Sequence, residues 1–151
     1  MMELPQRVDG LVKWGHALHA LLEEMDADTA GENGNPLRNI VQQAHRANAW
    51  FTPEFSLRSI RGLALWLDKS SLESWISGYP ALQKSPKSLK TIGIVMAGNI
   101  PAVGFHDLLS VLVSGNKALV KLSSDDQVII PFLLNVLFDV SQEFKSLVQI
   151  G

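Results

Sequence analysis

Apolar residues in the first part of the chain recur at steps of three and four, which is the spacing of one face of an α-helix. This spacing predicts a first helix over residues 4–25. Further helices are expected after Asn35-Pro36 and Thr52-Pro53, because Asn or Thr can cap a helix and Pro suits its first position. A short helix over 71–76 is predicted to end at Gly78-Tyr79-Pro80. The N-terminal region is therefore expected to be helical.

Two polar segments interrupt this pattern. Ala30–Asn35 is rich in Gly and Asn and is predicted to be a loop. Ser85–Ser88 contains Pro between polar residues and is the best linker candidate. The sequence thus predicts a helical region over residues 1–88 and a second region over residues 89–151.

The second region alternates short apolar runs with longer helical patterns. Thr91–Ala97 and Lys117–Leu122 have the length and β-branched content of strands, and Leu147–Ile150 is expected to begin a third. Ala102–Ser114 lies between the first two runs and has helical periodicity. The resulting β-α-β-α-β order predicts an α/β fold with a parallel sheet and right-handed crossovers.

The last predicted helix extends from Gln127 to about Lys145 and is apolar almost all round. It should therefore be buried on more than one side. Pro131 lies near its start, so the helix must either begin near Ile130 or be kinked.

Composition excludes several classes of protein. The chain has 151 residues, 46% of them hydrophobic, so disorder is not expected. A net charge of −2 argues against nucleic-acid binding through phosphate neutralisation. The N-terminus lacks the apolar core of a secretory signal, and no apolar run reaches the roughly 20 residues that span a bilayer. The sequence predicts a cytoplasmic protein.

The complete absence of cysteine excludes disulfides, thiolate–zinc sites and a cysteine nucleophile within this chain. His16 and His19 have a metal-compatible spacing, but no third ligand is evident, so no metal site is predicted. The four tryptophans lie in the helical half and are expected to be packing anchors. The two commonest glycine-rich phosphate-binding motifs are absent.

Candidate chemistry lies where the first two strands end. Ligands of open α/β sheets bind beyond the carboxyl ends of the strands, which places the loops Ala97–Pro101 and Leu122–Asp126 side by side. The helix N-termini that follow should offer free backbone N–H groups to an anion.

Each polar residue in these loops has two interpretations. The Asn99 amide could stabilise an oxyanion, or Asn99 could be a turn or cap residue. Lys121 could pair with a phosphate or a ribose hydroxyl, or simply extend to water. Ser123 and Ser124 could bind a ribose or phosphate, or cap a helix. Asp125-Asp126 is expected to complement the helix dipole rather than to perform acid–base chemistry.

Residues 93–133 resemble the first half of the cofactor domain of the aldehyde dehydrogenase superfamily, and within it acyl-CoA reductases related to the fatty-acid reductase subunit of bioluminescent bacteria. The shared pattern is a strand and an Asn-x-Pro turn (Asn99–Pro101), then a helix ending in Gly115-Asn116. A strand ending in Lys121-Leu122-Ser123 follows. The N-terminal helical half matches only in general character.

The resemblance implies a Rossmann-like NAD(P)-binding sheet, of which this chain carries an incomplete part. It assigns Asn99 as the side-chain oxyanion donor and Lys121 as a contact of the adenosine ribose. Ala97, Gly98, Ser123 and Ser124 complete the implied cofactor-binding loops. Ser124 stands where NAD-preferring members often have Glu, and serine would not repel a 2′-phosphate. The expected cofactor is therefore NADPH, with NADH as the alternative.

The family reaction attacks an acyl thioester with a cysteine, and this chain has none. The leading expectation is an N-terminal fragment of an acyl-CoA reductase, inactive alone. The full-length enzyme would bind acyl-CoA and form a homo-oligomer. Two alternatives stay open, namely a non-catalytic nucleotide- or coenzyme-A-binding module and a helical interaction protein.

Overall fold

The computed structural model describes residues 2–28, 34–84 and 88–151. Within this part of the chain the α-helices and β-strands, in chain order, are α1 (Leu4–Asp26), α2 (Pro36–Ala47), α3 (Pro53–Trp66), α4 (Lys69–Ser77), β1 (Thr91–Val95), α5 (Phe105–Val113), β2 (Lys117–Lys121), α6 (Ile129–Val140) and β3 (Val148–Ile150). Short 3₁₀ helices cover Pro80–Gln83 and Gln142–Ser146.

The starts of α2 and α3 confirm the predicted caps. The Asn35 side chain accepts hydrogen bonds from the N–H groups of Leu37 (2.9 Å) and Arg38 (3.3 Å). The Thr52 hydroxyl accepts one from the N–H of Phe55 at 3.2 Å. Pro36 and Pro53 each occupy the first helical position. These local signals fixed the helix starts because the side-chain oxygen satisfies N–H groups that have no partner inside the helix.

The three strands form one parallel sheet in the order β1-β2-β3, which confirms an α/β fold. Ile94, Ala118 and Val120 are buried on one face, where α5 lies against β1 and β2. The opposite face is open: Val95 is 79% exposed and Leu119 40%. Helices therefore cover this sheet on a single side within the described residues.

Two helices are shorter than predicted. α5 begins at Phe105 rather than Ala102, because Ala102 has a φ of +58° and that backbone cannot continue a right-handed helix. α6 begins at Ile129, which confirms the later of the two expected starts. Pro131 then lies in the first turn, where its missing N–H breaks no helical hydrogen bond.

α6 ends before the predicted Lys145. The helix ends at Val140 because the backbone of Ser141, with φ −153° and ψ 86°, is not helical. The α6 residues Ile130, Leu133 and Leu137 are buried, whereas its Asn135 and Asp139 are exposed.

A single hydrophobic core joins the N-terminal helices to the sheet layer. Trp14 of α1 is fully buried, and its ring lies 4.9 Å from that of Phe105 on α5. α1 also packs along α6. Residues 30–33 of the predicted loop and residues 85–87 of the predicted linker lie outside the described residues. The described core is continuous across the expected boundary.

Arg7 provides a buried polar link between α1 and α5. Its side chain is 1% exposed, and its Nε donates to the carbonyl oxygen of Val113 at 3.0 Å, at the end of α5. Nη1 donates to the Met2 carbonyl at 2.5 Å. Burial lowers the pKa of the guanidinium, against the opposing attraction of Glu3. Gly115, with φ +79°, leaves room for this side chain.

The prediction that all four tryptophans are packing anchors is wrong. Trp14 is buried and Trp75 packs against the core. Trp50, in contrast, is 86% exposed and Trp66 is 45% exposed. Apolar character alone did not distinguish core positions from surface positions in these helices. None of the helices in the described residues has the length and apolar character needed to cross a membrane.

Candidate functional site

The two loops expected to carry the chemistry do adjoin each other. The pairing of β1 with β2 continues past the strand end, where the N–H of Met96 donates to the carbonyl of Lys121 at 3.0 Å. A Cβ added at Gly98 would lie 2.7 Å from the Cβ of Ser123 and 2.9 Å from that of Asp125. Gly98 is thus the contact point between the loops, and only glycine allows that approach.

The candidate side chains at this edge are accessible. Ala97, Asn99, Lys121 and Ser124 are exposed, and Gly98 and Ser123 are half-buried. Ser123 is used within its own loop, since its Oγ accepts the N–H of Asp125 at 3.2 Å.

Asn99 does not cap the following helix. Gly104 is the N-terminal cap residue of α5, and the turns over 100–104 separate Asn99 from it. Within the described parts of the chain, the Asn99 amide has no intramolecular hydrogen-bond partner. An exposed amide at a strand end can donate to a ligand.

Asp126 has a structural role that the sequence did not reveal in full. Its side chain is 4% exposed and accepts the N–H of Ala102 at 2.7 Å and that of Ile129 at 3.2 Å. It therefore caps α6 and at the same time fixes the first loop. Burial raises the pKa of this carboxyl group, and the hydrogen bonds from backbone N–H groups oppose that rise.

This cap changes the expected anion site. The sequence predicted free N–H groups at the helix N-termini beside the loops, but the N–H of Ile129, the first residue of α6, already donates to the Asp126 carboxylate. That prediction is wrong for α6. The sequence predicted that Asp125 and Asp126 complement the helix dipole. Of the two, Asp126 places its carboxylate at the start of α6, where it accepts the N–H of Ile129, whereas the Asp125 side chain is exposed.

The segment between α2 and α3 is hydrogen-bonded to the second loop. The Asn48 Nδ2 donates to the carbonyl of Asp125 at 3.3 Å, and its Oδ1 accepts the N–H of Trp50 at 3.0 Å. The N-terminal helices thus contribute directly to the position of this loop.

The histidines do not gather into a metal site. His19 lies 2.9 Å from the Asp68 carboxylate, which links α1 to the start of α4. His106 lies between the rings of Trp66 and Trp75, with ring centroids 5.6 and 5.9 Å away. No cluster of three or more potential metal-ligating side chains occurs within residues 2–28, 34–84 and 88–151.

A comparison with protein families matches residues 63–150 to the family described as acyl-CoA reductase (LuxC), which is more than half of the chain. The match begins within α3 and includes both loops. No curated protein and no solved structure matches the chain significantly.

Proposed function

Because the chain belongs to the acyl-CoA reductase (LuxC) family, we propose that it forms the first part of the cofactor domain of an NAD(P)H-dependent enzyme that reduces an acyl thioester to an aldehyde. The observation that carries this proposal is the position of two exposed residues at the carboxyl ends of neighbouring parallel strands: Asn99 lies on the loop after β1, and Lys121 is the last residue of β2. Ligands of α/β sheets bind at that edge.

The residues at this edge fit a dinucleotide. The backbone at Gly98 lies so close to Ser123 that a ligand at this edge could contact both loops at once. Lys121 offers an ammonium group and Ser124 an uncharged hydroxyl, so a 2′-phosphate meets no carboxylate at position 124. We therefore propose NADPH in preference to NADH. When bound, the cofactor supplies hydride.

In the proposed reaction Asn99 acts on the substrate. Its amide N–H groups donate to the thioester carbonyl oxygen and stabilise the negative charge that develops there on nucleophilic attack. The nucleophile of the proposed reaction is a cysteine, and none of these 151 residues is one. The attacking thiolate must therefore come from residues outside this sequence, and the 151-residue chain alone should show no turnover.

We also propose how this sheet fits into the whole enzyme. The three-stranded sheet would be part of a Rossmann-like sheet of the aldehyde dehydrogenase type, in a cytoplasmic enzyme that forms a homo-oligomer at full length. The open sheet face around Val95 and Leu119 supports a larger assembly, since parallel sheets are normally covered on both faces.

Lys121 provides a sharp test, because β2 begins and ends with an exposed lysine. Calorimetry should show that Lys121→Met weakens NADPH binding by about tenfold to a hundredfold, as expected for one charge-assisted contact. Lys117→Met removes an equal charge from the opposite end of the same strand and should leave binding nearly unchanged. Equal effects of the two variants would contradict the proposed cofactor edge.

The absence of cysteine also supports a second candidate, a non-catalytic module that binds a nucleotide or coenzyme A through the same loops. That protein would bind NADPH or coenzyme A as an isolated chain and unfold in one cooperative transition. Production of aldehyde, once this chain is joined to a cysteine-bearing remainder, would exclude the candidate.

A further inference from the structure

A groove with aromatic walls runs along the outer side of α5. It consists of two adjoining cavities, of about 260 Å³ and about 350 Å³, which share Trp75 and His106. We call it the α5 groove and define it by the six residues used below: Trp66, Trp75, Tyr79, His106, Leu109 and Ser110.

The walls of the α5 groove are mainly apolar and are held in place by ring contacts. His106 lies 5.6 Å from the Trp66 ring and 5.9 Å from the Trp75 ring, measured between centroids. Trp75 in turn lies 6.3 Å from Tyr79. Trp66 is 45% exposed and Tyr79 is 54% exposed, so aromatic surface along this series of ring contacts is accessible to a ligand. An apolar ligand entering here would remove aromatic surface from water.

The direction of the groove relates it to the candidate site. His106 lies in the first turn of α5, directly after the loop that carries Asn99, and Val113 in the last turn lines the far cavity. The groove therefore begins at the carboxyl edge of the sheet and leads away from it. The rise of the helix from His106 to Val113 gives a length of about 10 Å.

We propose that the α5 groove binds the hydrocarbon chain of the acyl substrate, with the thioester end directed toward Asn99. This inference rests on the proposed function, because it uses the acyl-CoA reductase family for the class of ligand. An extended chain advances about 1.2 Å per bond. The groove therefore accommodates roughly eight carbons along its length.

The occupant is an alkyl chain because the lining of the groove, which includes residues of α4 and α5, is mainly apolar. Leu109 forms the base of the first cavity, Ser110 lies beside the second, and the Ser110 hydroxyl is already bonded to the carbonyl of His106 at 2.9 Å. The lining thus places few polar groups along the path of an alkyl chain.

The test uses the 151-residue chain with the sodium salts of butyrate, octanoate and dodecanoate, without coenzyme A or cofactor. Calorimetry and tryptophan fluorescence should show binding that tightens about threefold to fourfold per methylene up to about octanoate, the transfer value for a buried CH₂. Affinity should then level off, because further carbons extend beyond Tyr79. Affinity that does not change with chain length would overturn the proposal.

Three variants locate the binding. Ser110→Phe fills the groove and should abolish the dependence on chain length, whereas Ser74→Phe adds the same ring on an exposed position of α4 outside both cavities and should not. Tyr79→Ala removes only the far wall and should weaken dodecanoate more than butyrate. Equal losses in the two phenylalanine variants would contradict the assignment.

These measurements separate the groove from the cofactor edge. Octanoate binding that survives in Lys121→Met, together with no NADPH binding to the unmodified chain, would support the groove and refute the proposed cofactor role. NADPH binding without octanoate binding would refute the α5 groove as the acyl-chain site and would leave the proposed cofactor role standing. The chain could instead self-associate through the groove. Self-association would then be lost in Ser110→Phe and would persist in the presence of octanoate. That result would show that a second copy of the chain occupies the groove, and it would overturn the proposal.

Discussion

The buried carboxylate of Asp126 accepts the backbone N–H of Ala102 at 2.7 Å, across 24 residues of sequence. Ala102 has a φ of +58°, a left-handed conformation that costs a non-glycine residue about 1–2 kcal/mol. The hydrogen bond thus holds a strained backbone in the loop that presents Asn99, and one side chain sets both the start of α6 and the shape of the candidate site.

Asp126→Asn should destabilise the chain by about 1–3 kcal/mol at neutral pH, because the amide NH₂ would face one of the two backbone N–H groups that the carboxylate now accepts. Chemical denaturation measures this change. Asp125→Asn alters an exposed neighbour and is the matched control. Equal stability of the two variants would show that the buried hydrogen bonds contribute little.

The same residue predicts a pH dependence. Since burial raises the pKa of Asp126 above its usual value of 3.8, the folded state holds this proton more tightly than the unfolded state. Its contribution to stability is therefore fully present below the usual pKa and is lost as pH rises through the raised value. The stability difference between the unmodified chain and Asp126→Asn should widen on acidification over that interval. A stability difference that narrows on acidification would contradict a raised pKa of Asp126.

Gly98→Ala should separate the two loops, because the new Cβ would lie 2.7 Å from the Ser123 Cβ and 2.9 Å from that of Asp125. We expect a loss of about 1–3 kcal/mol in unfolding free energy and weaker NADPH binding. Gly93→Ala is the control, since its Cβ would meet nothing within 4 Å. Adding Ser123→Gly to Gly98→Ala should restore part of the stability, which a double-mutant cycle measures.

Gly115→Ala should be among the most destabilising glycine substitutions in the chain. The position has φ +79°, and an added Cβ would lie 2.8 Å from Nη1 of the buried Arg7. Backbone strain and the displaced guanidinium together should cost more than about 2 kcal/mol in thermal or urea unfolding. Gly62→Ala in α3 meets nothing within 4 Å and should instead stabilise by about 0.5–1 kcal/mol. Similar effects of the two substitutions would refute the role assigned to Arg7.

Asn99→Ala tests the oxyanion role in an enzyme that carries the catalytic cysteine. Turnover should fall about 10²–10³-fold, the usual cost of removing one oxyanion-hole donor. The unfolding midpoint should hardly change, because Asn99 is exposed and does not cap α5. Steady-state kinetics and a thermal melt on the same preparation separate these effects. Unchanged turnover would leave Asn99 as a turn residue only.

Much of the architecture could be predicted because its signals are local. Asn35-Pro36 and Thr52-Pro53 fixed two helix starts through hydrogen bonds that span only two or three residues. The three apolar runs gave the strands, and their alternation with helices gave the parallel sheet. From that topology the adjacency of the two candidate loops followed directly.

The rest depends on partners distant in sequence. The left-handed Ala102 has no local signal, because an alanine adopts that conformation only when contacts such as the one from Asp126 enforce it. The burial of Arg7 depends on Val113, 106 residues away. Asn48, between α2 and α3, donates to the carbonyl of Asp125, 77 residues away, and accepts the N–H of the exposed Trp50, and no helical periodicity encodes these contacts.

The link between Arg7 and Val113 also restricts how Asn99 can move. The far end of α5 is hydrogen-bonded to α1 through the buried guanidinium of Arg7. At the near end Gly104 packs closely against Met96, since a Cβ placed on Gly104 would lie only 2.7 Å from the Met96 sulfur. With both ends of α5 held, a substrate cannot draw Asn99 closer by tilting the helix. Any adjustment of Asn99 is therefore confined to the short segment between Gly98 and Ala102, whose far end is itself held by the Asp126 carboxylate.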